Sequence, residues 1–571
     1  MAIDQKDALF SLVKSLSKSE KRQFKLYVGR LGGNADANFI SLFNLLDKVI
    51  FYDDELILKK TNIKKQQISN TKAHLYKQIL VSLRFNPVHH NMRAQIREQF
   101  DFAAILYNKG LYKQSLKILD KAKEFALANE ENNLAYEIVE FEKVIESQYI
   151  TRSMSNRADE LSEQAKKLSL KNVRTSKLSN LSLQLYSLLL KEGYAKDDAD
   201  IKKVNSYFKK RLPKFEISEL GFKEKLFLYK AYLWHSLIMQ DFLSSYKYSQ
   251  KWVDLFEEKP EMKIHNPVFY LKGANYLLES LFLNKHITKF NSVLKNLSID
   301  IKTEKVAINE NTKTLIFLYF NQNKLNLHFL EGKFTQGLPF VVKLVNKLEA
   351  YENQIDEHHI MVFYYKIACM YFGAGKNEDC IVYLEKIINN KELKMREDLL
   401  CYARVLNLVA HYEAGIDSNI EKLIVSTYKF LLKMNDLHQV QRKMISFLKN
   451  LSNIYPQDLR KEFINLHSEL IKFENHPYEK RSFLYLDILS WLESKIQNET
   501  VESIIQKKAK KALKKAFQIQ ADKKGFSLIE FISTCPVNWG MTPKDAIDWA
   551  VDNMIPYYPL GVFKDATEGE K

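Results

Sequence analysis

Five basic residues in one amphipathic segment have the types and spacing that could bind a polyanion. They are Lys64, Lys65, Lys72, Lys77 and Arg84. Lysine and arginine on one helix contact nucleic-acid phosphates, as in the recognition helix of a helix-turn-helix. The same segment carries apolar residues at three- and four-residue steps: Leu75, Ile79, Leu80 and Leu83. This stripe favours a core-facing helix with a solvated basic side, and DNA reading is the weaker alternative.

A glycine-rich stretch and two histidine pairs are further places where chemistry can be sought. Residues 373–376 read Gly-Ala-Gly-Lys, but no strand pattern precedes them and no hydroxyl residue follows the lysine, as a phosphate-binding loop requires. The adjacent pairs His89-His90 and His358-His359 would point about 100° apart on a helix, whereas chelating pairs need i and i+3 or i+4 spacing. We therefore expect an interhelical turn at 373–376 and no metal site at the histidines.

The remaining reactive residue types also give no catalytic pattern. The four cysteines are Cys369, Cys380, Cys401 and Cys535, and their spacing is not that of metal ligands. The first three lie on predicted apolar helix faces. They indicate reduced thiols in a cytoplasmic protein. We find no zinc-protease or serine-hydrolase motif, and we expect no export signal and no membrane span. The chain is therefore expected to be non-enzymatic and to use no cofactor.

The net charge of +17 arises from 86 basic and 69 acidic residues. Clustered on one face, it would favour nucleic acid, the ribosome or an anionic surface. Along the predicted helices, however, lysines alternate with acids, as in the stretch from Lys117 to Glu124. This alternation is typical of solvated faces with i to i+4 ion pairs. A solvated face is the main interpretation, and a polyanion partner is the alternative.

Helices must position these residues, because a chain of 571 residues with only 16 glycines and 11 prolines has few residues for hairpins. We predict an all-α fold. Residues 362–388 show its unit: a helix striped by Tyr364, Ala368 and Tyr371, a turn at 373–375, and a second helix through Leu384. Each stripe is too narrow to form a core alone, so the pair must stack on similar neighbours.

Residues 1–95 are predicted to form a helical N-terminal domain. Its first helix is striped by Leu9, Val13 and Leu16. Residues 17–20, Ser-Lys-Ser-Glu, have the spacing of a capping box and predict the start of a second helix, which continues through Phe24 and Leu26.

Small and large packing residues recur at similar offsets from residue 96 to 500. The positions are Ala103, Gly110, Tyr112, Gly332, Phe334, Ala368, Tyr371, Gly375 and Leu384. This pattern resembles tetratricopeptide repeats, and the resemblance implies an α-solenoid of helix-turn-helix units. Gly332, Gly375 and Gly415 are 43 and 40 residues apart, more than the roughly 34 of a standard unit. The helices are therefore lengthened or the relationship is divergent.

Residues 501–571 differ from the rest of the chain. Four of the 11 prolines lie here: Pro536, Pro543, Pro556 and Pro559. An alternating stretch at 525–532 predicts a strand. Segments 535–540 and 555–565 are similar to the C-terminal end of the thiamine-diphosphate-binding subunit of 2-oxoacid:ferredoxin oxidoreductases, which implies a short α/β-derived tail. That family's Gly-Asp-Gly element does not occur in the sequence, so no catalytic or cofactor residue is transferred.

Three functional hypotheses follow. The first is a cytoplasmic scaffold that binds protein or peptide partners along a helical-repeat surface. The second is an RNA, ribosome or DNA binder that uses the basic helices, and the third is a fused fragment or accessory subunit of the oxidoreductase. The repeats and the N-terminal 95 residues also resemble uncharacterised helical-repeat proteins of Bacteroidota, a resemblance that implies no function.

Overall fold

The computed structural model describes most of the chain up to residue 508. The described residues are 7–30, 37–86, 91–148, 156–351, 354–390, 397–416, 420–433, 439–450, 455, 457–474, 476–479, 483 and 487–508. They form α-helices and short 3₁₀ turns, and none of them lies in a strand. The predicted all-α class is confirmed for this part of the chain. The predicted strand at 525–532, Cys535 and the oxidoreductase-like segments lie outside it.

Two compact units divide the chain, residues 1–172 and 173–571. The helices of the first unit are α1 (Ala8–Ser15), α2 (Lys18–Arg30), α3 (Ala37–Lys48), α4 (Asp54–Lys60), α5 (Ile68–Arg84), α6 (Met92–Asn108), α7 (Tyr112–Ala128) and α8 (Asn132–Gln148). One core joins α1, α2, α3 and α5 around Phe24, Phe43 and Leu75. A second core joins α6, α7 and α8 around Leu119 and Ile138. The division between the units falls within α9 (Arg157–Glu192).

The second unit contains the longer series of helices. They are α10 (Asp198–Arg211), α11 (Phe222–Ile238), α12 (Phe242–Glu258), α13 (Glu261–His265), α14 (Pro267–Leu283), α15 (Ile287–Lys302), α16 (Glu310–Glu331), α17 (Phe334–Tyr351), α18 (Glu357–Gly373), α19 (Asn377–Ile388), α20 (Glu397–Ala414), α21 (Ile420–Lys433), α22 (Gln439–Asn450), α23 (Leu459–Leu470) and α24 (Ile488–Gln497). Residues 501–508 are also helical. Two cores fill the unit, one around Trp252 and Phe290 and the other around Phe363 and Trp491.

The turns between paired helices share one backbone geometry. A residue with positive φ follows the helix end in each of these turns: Gly110, Glu130, Gln240, Lys285, Glu304, Gly332, Gly375 and Gly415. The next residue then donates its N–H to a carbonyl five positions earlier, as from Lys376 to Tyr371 at 2.9 Å. This Schellman arrangement satisfies carbonyls that the helix end leaves without partners. It reverses the chain in a few residues, so that consecutive helices pack side by side.

Glycines inside the helices allow close approach of large side chains. An added Cβ at Gly273 would lie 2.8 Å from Nε1 of Trp252, and one at Gly373 would lie 2.3 Å from Cδ1 of Phe334. At Gly337 the Cβ would lie 2.3 Å from Cε of Met370. These contacts join α12 to α14 and α17 to α18 more closely than any larger residue would permit.

Several local predictions can be compared directly with the helices. The predicted pair at 362–388 is confirmed by α18 and α19, and the capping box is confirmed by the Ser17 N–H donating to Glu20 Oε2 at 2.7 Å. The stripe prediction is wrong for Leu80, which is 45% exposed, and Leu26 of α2 is also exposed, at 57%. Each follows a buried residue by one or two positions, a rotation of about 100° or 200° away from the core.

Candidate protein-binding surface

The basic residues predicted to contact a polyanion do not form one exposed group. Lys64, Lys65 and Lys77 are exposed. Lys72 is half-buried, forms an ion pair with Asp7 and donates to the Tyr52 hydroxyl at 2.5 Å. Arg84 is paired with Asp101 at 3.4 Å. Lys72 is therefore engaged within the fold, and polyanion contact stays a prediction for the other residues.

The predicted repeat-packing residues occupy turns and helix–helix contacts. Gly110, Gly332 and Gly375 have positive φ and lie in turns. Four others are buried: Ala103, Phe334, Ala368 and Leu384. The carbonyl of Ala103 accepts a hydrogen bond from Ser115 Oγ at 2.7 Å, which joins α6 to α7. The rings of Tyr112 and Tyr371 are half-buried and lie 5.8 Å from Tyr107 and 5.7 Å from Tyr383.

A different set of residues, on α11 and α14, forms a surface of facing rows. Each helix presents an aromatic residue, a lysine three positions later and a second aromatic residue four positions after that. The rows are Phe227, Lys230 and Trp234 on α11, and Phe269, Lys272 and Tyr276 on α14. Steps of three and four residues place the members of each row on one helix face. We call these six residues the paired rows.

The aromatic members of the paired rows contact each other across the two helices. The Phe227 and Phe269 rings are 6.0 Å apart and nearly perpendicular, and the Trp234 and Tyr276 rings are 4.8 Å apart at 85°. Edge-to-face rings at these distances attract each other beyond the effect of burial alone. Tyr186 of α9 extends the set, with its ring 4.9 Å from Trp234. Trp234 is buried, whereas Phe227, Phe269 and Tyr276 are half-buried and keep part of their surface exposed.

Lys230 lies against the contact of the two phenylalanine rings. Lys230 Nζ is 5.3 Å from the Phe227 ring centre, 5.1 Å from Phe269 and 5.6 Å from Trp252. Burial lowers the pKa of Lys230 to about 8, and the positive charge of Lys272 acts in the same direction. The surface is therefore basic and only partly hydrated at its centre.

A hydrogen-bonded set of amides continues the surface toward α16 and α18. Asn323 Nδ2 donates to Asn275 Oδ1 at 2.8 Å, and Asn326 Nδ2 donates to Asn323 Oδ1 at 3.2 Å. Lys366 Nζ donates to Asn326 Oδ1 at 2.5 Å. Burial lowers the pKa of Lys366 to about 8, while the Glu279 carboxylate acts to raise it. The buried amides fix three helices, α14, α16 and α18, in register beside the paired rows.

The thiol and phenol groups of this region stay protonated at neutral pH. Cys369 lies one helical turn from Lys366, but burial raises the pKa of its thiol to about 12, so it is a thiol and not a thiolate at neutral pH. Burial also raises the pKa of Tyr276 and Tyr319 well above the ordinary value. Within the described ranges, no group of three His, Cys, Asp or Glu residues is placed to hold a metal ion.

Comparison with protein-family models, curated proteins and solved structures gives no match to this chain. Among the residues placed by the structure, none of the helices combines the length and apolar character needed to cross a bilayer.

Sequence reasoning missed the paired rows, although a signal was present. The order aromatic, Lys, aromatic occurs at 227, 230 and 234 and again at 269, 272 and 276, a constant shift of 42 residues. This repeat of one residue order, at about the unit spacing of the turns, was the signal in the sequence. The predicted packing positions belong to other offsets of the repeat and do not include these six residues.

Proposed function

We propose that the protein is a non-enzymatic scaffold of tetratricopeptide-like helix pairs that binds a protein or peptide partner. Support for the repeat arrangement comes from the packing order: α14 packs against α12 and α16, and α18 packs against α16 and α19. The turn residues Gln240, Lys285, Gly332, Gly375 and Gly415 are 45, 47, 43 and 40 residues apart. Regular units of this kind stack into α-solenoids.

The main support for this proposal is the set of half-buried aromatic residues in the paired rows. Protein-binding surfaces are enriched in tyrosine, tryptophan and phenylalanine, which bury a large area with few rotatable bonds. Here, Phe227, Phe269 and Tyr276 are held by ring contacts and by the amide set beside them, so little conformational freedom is lost on binding. A cytoplasmic setting agrees with the reduced thiols Cys369, Cys380 and Cys401, which form no disulfide.

Partner capture with paired variants tests this function. The full chain and the variant Phe227→Ser/Phe269→Ser are used to retain proteins from a native extract, and retained proteins are identified by mass spectrometry. The matched control is Leu243→Ser/Ile299→Ser, which removes residues that are 55% and 42% exposed on α12 and α15. We expect the first variant to lose specific partners and the control to keep them. Equal retention by all three proteins would contradict the proposal.

A nucleic-acid partner is the second candidate, favoured by the exposed Lys64, Lys65 and Lys77 and by the net charge of +17. Retention on a polyanion column across a salt series separates the two functions. Specific phosphate contacts give a steep linear fall of log affinity with log salt concentration. A protein-binding scaffold elutes early and without that slope.

A further inference from the structure

Lys230 and Lys272 form a cationic pair that no acidic residue neutralises within the described part of the chain. Neither lysine has an ion pair or a hydrogen bond to a carboxylate there, and the charge that acts on Lys230 is that of Lys272. Of the nearby acids, Asp254 and Glu258 act on the Tyr229 hydroxyl, and Asp254 accepts from Gln250 at 2.7 Å. The charge of Glu279 acts on Tyr276 and on Lys366. The ring contacts at both ends of the rows set Lys272 of α14 opposite Lys230 of α11 in register, and the charge of Lys272 lowers the pKa of Lys230.

Such an arrangement is unfavourable in the unbound protein. Two cations close together repel each other, and partial burial removes water that would screen them. The aromatic rings around Lys230 offset part of this cost through cation–π attraction, but they do not supply a negative charge. An oxyanion bound between the lysines would supply a negative charge, so that each lysine would be attracted to it.

An unpaired indole N–H lies in the core next to the paired rows. Nε1 of the fully buried Trp252 has no hydrogen-bond partner within the described residues, and this atom lies against Gly273, next to Lys272 in the chain. Unpaired buried donors are rare, and Lys230 Nζ lies 5.6 Å from the centre of this ring. Its ring also lies 6.0 Å from Tyr276, within the same set of contacts.

We propose that Lys230 and Lys272 form an oxyanion-binding site for a carboxylate of an acidic segment in the partner protein. The inference rests on the proposed scaffold function for its macromolecular partner. Charge complementarity selects an acidic segment, and the phenylalanine pair on one side and the Trp234–Tyr276 pair on the other select one with apolar neighbours. Each lysine donates to the carboxylate, while the rings bury the adjoining side chains.

Fluorescence anisotropy with a labelled glutamate-rich peptide tests the site in the full chain. A glutamine-rich peptide of equal length is the negative control, and inorganic phosphate is the competitor. The variant Lys230→Met/Lys272→Met removes both charges and retains the apolar stems. Its matched control is Lys247→Met/Lys251→Met, which removes two exposed lysines that lie 5.6 Å and 5.8 Å from tyrosine rings on neighbouring faces. Thermal unfolding confirms that each variant is folded.

We expect the glutamate-rich peptide to bind, with a loss of about tenfold or more in Lys230→Met/Lys272→Met and less than about twofold in the control. Equal losses in the two variants would show an effect of net charge alone and would overturn the site, as would absence of peptide binding. If a single-stranded oligonucleotide binds more tightly through the same lysines, the ligand of the site is nucleic acid and the proposal of an acidic protein segment is overturned.

The two proposals fail separately. If partner capture depends on Phe227 and Phe269 but not on the lysines, the scaffold function stands and the oxyanion site is overturned. If the peptide binds through the lysines while no partner is captured, the oxyanion site stands and the scaffold function is overturned.

Discussion

The side-chain amide of Gln506 donates a hydrogen bond to the carbonyl oxygen of Gly332 at 3.0 Å, although 174 residues separate them. Thr335 Oγ1 also donates to Glu502 Oε2 at 2.8 Å, and Ile504 is only 2% exposed. The helical residues 501–508 thus pack against the turn between α16 and α17. Sequence analysis assigned this segment to the C-terminal tail because the change in composition begins there, and its partner in the fold is distant in the chain.

This contact predicts a sharp dependence of stability on where the chain is truncated. Ending the chain after residue 499 removes the burial of Ile504 and the bonds to Gly332 and Thr335, which we expect to cost about 3 kcal/mol relative to ending it after residue 508. Urea unfolding followed by circular dichroism measures the difference. Identical midpoints for the two truncated chains would show that 501–508 adds no stability.

The close packing of Phe334 on Gly373 predicts that a larger residue at this position destabilises the fold. The substitution Gly373→Ala places a Cβ 2.3 Å from Cδ1 of Phe334, a side chain that is itself buried, and we expect a loss of about 1–3 kcal/mol. A second change, Phe334→Leu, removes the crowding atom and should restore part of that loss. In Gly375→Ala, where no atom lies within 4 Å and φ is +73°, we expect about 1 kcal/mol of strain that Phe334→Leu leaves unchanged. Thermal unfolding of Gly373→Ala and Gly375→Ala, each with and without Phe334→Leu, distinguishes crowding from backbone strain.

Local sequence patterns predicted the helices and their turns because those depend on near neighbours. The capping box at Ser17 and Glu20 and the turn at Gly375 need only residues a few positions apart. The paired rows could not be predicted in the same way, because the contact of Phe227 with Phe269 depends on which faces of α11 and α14 meet. That choice is made by packing, including the approach of Trp252 to Gly273, which a periodic stripe does not encode.

Lys230 predicts a pH dependence with a definite sign. Its pKa is about 8 in the fold and near the ordinary 10.5 in the unfolded chain, so between these values the unfolded state binds more protons and stability rises with pH. Below about pH 8, Lys230 therefore costs stability. We expect Lys230→Met to stabilise the protein by about 2 kcal/mol at pH 7, a gain that shrinks above pH 8 and disappears near pH 10.5. Urea unfolding across this range measures it, with the exposed Lys251→Met as control.

A pH-independent gain in Lys230→Met would contradict this account, since added apolar packing alone would produce it. A gain that follows the same curve in Lys251→Met would also contradict it, because the Lys251 side chain is exposed and not buried against the rings.

The buried pair of Lys123 and Glu142 in the first unit predicts the opposite response to removal of a lysine. Lys123 Nζ lies 2.6 Å from Glu142 Oε2, the glutamate is fully buried, and burial raises its pKa despite the lysine. Lys123→Met leaves Arg157, whose guanidinium is 3.6 Å from Glu142 Oε1, as the remaining cation beside that carboxylate, so we expect a loss of about 3 kcal/mol in urea unfolding at pH 7. Lys123→Met/Glu142→Met removes both charges and should recover most of the loss, because apolar replacements of a buried pair are often neutral. Equal instability of the single and double variants would mean that lost packing, and not the loss of the lysine beside the carboxylate, causes the effect.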